Sequence, residues 1–238
     1  MDMHGFEITS IGSRCFNRHF LCRKSTLRYI GSPLDNMDNS GPRCLANVLS
    51  LIKNGFSQIH EKALEKKCRR NAVNIETGKP MDYFGYIYMG GELDGPVILP
   101  HFFDVPEGNM FLNDEDGWAR WRHKVDLFMS AIADKSRRIV FSNARACHDG
   151  PDARAAMSAD AESLARHLAD EYGRTPENTL VLNFVICECG HIENDLDIPM
   201  ARQVAVPMRQ EDMNAKSDLY LDWTSGVYPD EFRRAIGL

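Results

Sequence analysis

Thr179 to Cys187 (Thr-Leu-Val-Leu-Asn-Phe-Val-Ile-Cys) is the segment that most narrows the choice of fold. It is a continuous apolar run of strand length, of the kind buried on both faces of a parallel sheet. Parallel strands need crossover connections, and the neighbouring sequence supplies them. Ala155 to Tyr172 carries Met157, Ala161, Leu164, Ala165 and Leu168 on one helical stripe and stops at Gly173. Ile139-Val140-Phe141-Ser142 reads as a short strand before that helix, and Gln203 to Met208 as a strand after the apolar run. Helix and strand alternate, and that alternation predicts an α/β fold.

The N-terminal half extends the pattern. Phe6 to Ser10 alternates apolar and polar residues as a strand, Gly12-Ser13 breaks it, and Phe16, Phe20, Leu21 and Leu27 predict a helix. Tyr29 to Met37 is rich in turn formers and reads as a loop. Asn39-Ser40-Gly41-Pro42 opens a helix with Cys44, Leu45, Val48, Leu49 and Ile52 inward, ended by Gly55. Ile59 to Arg70 reads as a mostly solvated helix. Tyr83 to Tyr88 and Val97 to Leu99, separated by Gly90-Gly91 and Gly95-Pro96, predict an antiparallel hairpin. Asn113 to Asp116 offers caps for a long helix with Trp118, Trp121, Val125, Phe128, Met129 and Ile132 on one side. Glu211 to Leu219 and Pro229 to Ile236 read as short helices. With no repeat or linker visible, residues 1–238 are expected to form a single three-layer α/β domain. Its sheet is mostly parallel, with flanking helices and a small β-hairpin insertion.

Composition sets the class. A formal net charge of -6 argues against a general nucleic-acid binder. No stretch has the apolar length of a membrane span. The seven cysteines are odd in number and scattered, unlike a secreted disulfide framework. Met1 to His4 does not open a signal peptide, so a cytoplasmic, reduced protein is the expectation. There is no Gly-x-Gly-x-x-Gly or Gly-Lys-Ser/Thr pattern, and no cofactor is expected.

Cys15 carries the sharpest chemistry. A strand that turns into a helix brings the residue at the turn to a sheet edge. There the first N–H groups and the positive dipole end favour a thiolate, the nucleophilic form. A thiol nucleophile also needs a base and a group to orient it. His101 follows an apolar strand and would lie at a strand end. His19, His148 and His191 are weaker partners by position.

Two short blocks also resemble a known family. Ile11-Gly12-Ser13-Arg14-Cys15, followed about twenty residues later by Ser32-Pro33-Leu34-Asp35, is similar to an uncharacterised family described as papain-like cysteine peptidases. That family opens with a strand ending in Leu-Gly-x-x-Cys and then carries Pro-Phe-Asp-Trp; here Leu34 and Asn36 replace both aromatic residues. His101-Phe102-Phe103-Asp104, the arginine-bearing Trp118 to Met129 helix, and Arg138-Ile139-Val140-Phe141 follow the family's order. The resemblance spans about residues 5 to 145. It implies Cys15 as nucleophile, His101 as base and Asp104 or Asp35 as the orienting acid. Gly12-Ser13-Arg14-Cys15-Phe16 also resembles the Gly-Ser-Cys-Phe opening of the GSCFA branch of SGNH-type ester hydrolases, with one residue inserted. That resemblance implies Ser13 as nucleophile.

Cys187, Cys189 and His191 could share one face of a strand, but no second ligand pair sits nearby in sequence, and no metal site is expected. Ser13, Arg14, Trp118 and Arg122 are the substrate-binding candidates, although the spacing of Trp118 first assigns it to the core stripe of its helix. The expected activity is a cysteine-dependent hydrolase or acyl-transfer enzyme acting on a small-molecule, peptide or glycan-linked substrate. Amide, ester and thioester bonds all fit these residues. The alternatives are an esterase using Ser13, or a non-catalytic binding or carbohydrate-pathway protein on the same scaffold.

Overall fold

A computed structural model describes residues 4–12, 25–36, 43–60, 64–73, 80–88, 93, 97–99, 115–146, 150–187 and 196–207. Five strands form one sheet: β1 (Phe6–Ser10), β2 (Arg28–Ile30), β6 (Arg138–Ala146), β7 (Thr179–Cys187) and β8 (Ala201–Pro207). Their spatial order is β2-β1-β6-β7-β8, and every pairing is parallel. Among the described residues three α-helices accompany them: α1 (Cys44–Lys53), α2 (Glu115–Ala133) and α3 (Gly150–Tyr172). The arrangement is the three-layer α/β fold that the alternation of elements predicts.

Alternate residues explain the layers. Ile139 and Phe141 of β6, Val181 of β7 and Ala201 of β8 join one buried cluster with the inner stripes of all three helices. The other face carries Phe6, Ile8, Val140, Leu180, Leu182 and Phe184, also buried. Trp118, Trp121, Phe128 and Ile132 of α2 lie inward as their spacing requires. Phe128 meets Phe141 edge-on, with ring centroids 6.3 Å apart, and Phe56 meets Phe128 the same way at 6.0 Å. Phe56 has a left-handed φ of 60°, reached directly after Gly55 closes α1. That conformation costs about 1–2 kcal/mol. Burying the ring returns roughly 2–3 kcal/mol and holds it there.

Gly173 ends α3 with φ 61°. Its N–H donates to the Ala169 carbonyl, the 5→1 bond of an αL cap, and the Arg174 N–H donates to that of Leu168. The cap turns Arg174 into the interior, where only 2% of it is exposed. Its guanidinium donates to the Ile132 carbonyl (2.8 Å), the Arg137 carbonyl (2.7 Å) and the Ala131 carbonyl. Two of these are among the last carbonyls of α2, which no helical N–H reaches.

Three expectations need correction. Tyr29-Ile30, read as loop, belongs to β2, whose short extended stretch exists because it pairs with β1. The charged run from residue 64, read as helix, is strand β3 (Leu64–Val73). It pairs antiparallel with β4 (Pro80–Tyr88), which pairs antiparallel with β5 (Val97–Leu99): the expected hairpin forms, and β3 extends it into a three-stranded sheet separate from the main one. Cross-strand pairing there overrides the helical propensity of Lys, Glu and Arg. Finally, β6 runs on to Ala146, beyond the predicted end at Ser142. The expected helices after Cys15 and after Met208 lie outside the described residues. Among the described residues no helix is long and apolar enough to cross a membrane.

Candidate functional site

Counted in chain order, the strands of the main sheet run 2-1-3-4-5. The order reverses between β1 and β6. In open α/β sheets such a reversal splits the crossovers apart and opens a crevice at the carboxyl ends of the two strands. β1 reaches that edge first. Its last pair is Ser10 with Ser142, after which the Ile11 N–H donates to the Ser142 carbonyl at 2.9 Å. The Gly12 N–H then turns back to the Ser10 hydroxyl at 3.4 Å. Ser13, Arg14 and Cys15 follow Gly12 in the chain and lie outside the described residues, as do His101 and Asp104.

Past Ser10, β6, β7 and β8 continue side by side. Asn143, Asn183 and Gln203 occupy one register on the helix-covered face. All three are buried. The Asn143 side-chain amide donates to the Asn183 Oδ1 at 2.7 Å, and that of Asn183 to the Gln203 Oε1 at 2.8 Å. The amides thus form a directed chain across three strands. Asn143 also approaches the Cys44 Sγ at 3.5 Å. Cys44 is the first residue of α1 and only 2% exposed, so the opening turn of that helix faces the head of the chain. Arg43, just before it, is anchored by a two-pronged contact with the buried Asp160 of α3, at 2.9–3.1 Å. That pair fixes where α1 begins.

Asp35 lies in the tight turn Pro33–Asn36 and is 1% exposed. Its carboxylate accepts the Ser32 N–H at 3.0 Å and the Tyr29 hydroxyl, and Lys124 of α2 stands 3.8 Å away. Asp35 therefore ties the end of β2 to α2. Trp118, on the same helix, is 8% exposed and packs in the core beside Trp121. Arg122 is exposed. Of the eight candidate residues, the structure describes these three and brings Asp35 and α2 together. Cys187 closes β7, while Cys189 and His191 lie outside the described residues. Among the described residues no three His, Cys, Asp or Glu side chains cluster to hold a metal ion.

Sequence reasoning overlooked Cys44, Asn143, Asn183 and Gln203. One signal for them exists: Asn183 is the polar interruption inside the apolar run Leu180 to Ile186. A buried amide in a central strand needs a partner on the neighbouring strand, and Asn143 and Gln203 are those partners. No protein-family model, curated protein or solved structure matches this chain.

Proposed function

We propose that this protein is a cysteine-dependent hydrolase or acyl-transfer enzyme acting at the carboxyl edge of its parallel sheet. One observation carries the reading. The chain leaves β1 through Gly12 at the point where the strand order reverses, and Cys15 is three residues further on. The proposal takes the nucleophile from the papain-like resemblance and leaves the papain architecture aside, because β1 lies inside a parallel sheet. In it, the Cys15 thiolate attacks the substrate carbonyl carbon and a thioester forms. The leaving group departs with a proton from His101, and water then releases the acyl group. Asp104 orients His101. Asp35 is the weaker choice for that role, since Ser32, Tyr29 and Lys124 already hold its carboxylate. We place the protein in the reducing cytoplasm and assign it no nucleic-acid partner, on its cysteine usage and net charge.

The test is the alkylation rate of each thiol across pH in the folded protein, resolved by mass spectrometry. Cys15 should react fastest, with an apparent pKa below the free value of about 8.5. His101→Ala should slow it. Reaction no faster than that of Cys68 or Cys147 removes the nucleophile. Ser13 stands as a second reading because it directly follows, in sequence, the Gly12 through which the chain leaves β1. A serine-directed fluorophosphonate that labels Ser13, with activity surviving Cys15→Ala, would select it.

A further inference from the structure

A long strand at a sheet edge invites a further strand, and proteins blunt such edges by keeping them short or by placing proline in them. Among the described residues the two sheets have four edges. β2 and β5 are three residues long, and β8 ends on Pro207, which has no N–H to offer. β3 departs from this pattern. It is ten residues long, and β4 is its one neighbour among the described residues. Its register with β4 is unbroken from Leu64 to Arg69. Only then do Arg70 and Asn71 stand against the single residue Asp82, as a bulge that bends the strand.

Charge decides what such an edge can accept. β3 carries Lys66, Lys67, Arg69 and Arg70 against one acidic residue, Glu65, in a chain whose formal net charge is -6. The register puts Lys66 on one face of the sheet, with Tyr86 and Leu99, and Lys67 and Arg69 on the other, with Gly85 and Tyr83. A strand laid along this edge therefore has basic residues beside it on both faces. A second copy of β3 would bring like charges together, which destabilises cross-strand pairs; an acidic strand would bring opposite charges together, which stabilises them. The lysines that guard the edge against self-association thus select a partner of opposite sign.

We propose that the edge of β3 from Leu64 to Arg69 docks an extended acidic segment of a partner protein, which pairs with it as a fourth strand. Main-chain hydrogen bonds give the affinity, and Glu or Asp at successive positions beside Lys66, Lys67 and Arg69 gives the specificity. Docking here uses neither Cys15 nor His101, so the edge and the hydrolase reading fail separately.

The probe is a fluorescein-labelled peptide with blocked ends, Thr-Glu-Val-Glu-Val-Asp-Thr, added to the full chain carrying Cys15→Ser. One control replaces both valines with proline, which keeps the charge and loses the strand; the other has lysine at the acidic positions. Fluorescence anisotropy should show saturable binding of the acidic strand alone, weakened by added salt. Hydrogen exchange should slow at the amides of residues 64–69. Lys66→Glu combined with Lys67→Glu should weaken binding by about tenfold or more, as like charges replace opposite ones. If that variant fails to fold, the three peptides and the exchange pattern still decide. No saturable binding, equal binding of the proline peptide, protection confined to other residues, or tighter binding of single-stranded oligothymidylate would each overturn the docking edge. Docking in a protein whose Cys15 proves inert keeps the edge and removes only the hydrolase.

Discussion

Replacing Arg174 with methionine tests how the two long helices are locked together. The side chain is 2% exposed and donates to three backbone carbonyls, two of them in the last turn of α2. Burial lowers the pKa of its guanidinium, Asp134 raises it and Arg137 lowers it further, so the charge is held mainly by carbonyl dipoles. Each such bond to a charged group is worth roughly 1.5–3 kcal/mol, and each carbonyl left buried and unmet costs about 1–3 kcal/mol. Against this, methionine spares the desolvation of a charge and refills most of the volume. The net loss should be about 3–4 kcal/mol, in the range seen when a buried charged partner is removed. With a urea m-value of about 2.5 kcal/mol/M, the unfolding midpoint should fall by roughly 1.5 M. The transition can be followed by the fluorescence of the buried Trp118 and Trp121. Arg174→Lys should recover less than half, because a single ammonium cannot reproduce the planar fork. A methionine variant within about 0.3 M of the parent would refute the argument.

The Arg43–Asp160 pair should behave asymmetrically, since Asp160 is 4% exposed and Arg43 reaches solvent. Arg43→Ala should cost about 2–3 kcal/mol, and the same change in an Asp160→Asn background distinctly less. A double-mutant cycle giving a coupling under about 0.5 kcal/mol would remove the pair from the account of where α1 begins. His167 has its pKa lowered first by burial and then by Lys53. The unfolded chain therefore binds this proton more readily, so stability should fall as pH drops below about 6.5 and level off once pH passes the folded value. His167→Gln should flatten that part of a stability profile measured from pH 5 to 8; an unchanged slope would assign it to other groups.

The sheet was largely legible because burial on both faces writes itself as continuous apolar sequence. Thr179–Cys187 reads from its own residues, and the stripes of α2 and α3 from their helical spacing. What escaped depends on partners far away in the chain. β2 is three residues long and is a strand only beside β1. The charges of β3 carry no alternation, so its conformation comes from pairing with β4. The polar end of β6 reads as a loop until Asn183 and Gln203 are known to lie beside it. At the candidate site, chemistry suggested Cys15, His101 and Asp104 as single residues. The amide chain is a property of register between strands, which no local pattern contains.

That register also shapes how the protein must be made. β1 lies between β2 and β6, yet its partner β6 follows about 130 residues later, the separation of Glu7 from Arg137. At a synthesis rate of about 5–20 residues per second, β1 waits on the order of ten seconds for β6 to emerge. Meanwhile Phe6 and Ile8, fully inside in the finished fold, lack the neighbour that covers one edge of their strand. An unpaired apolar edge recruits other chains. The nascent β1 segment is thus a candidate for chaperone protection, and slowing translation before residue 138 should lower the soluble yield more than slowing it afterwards.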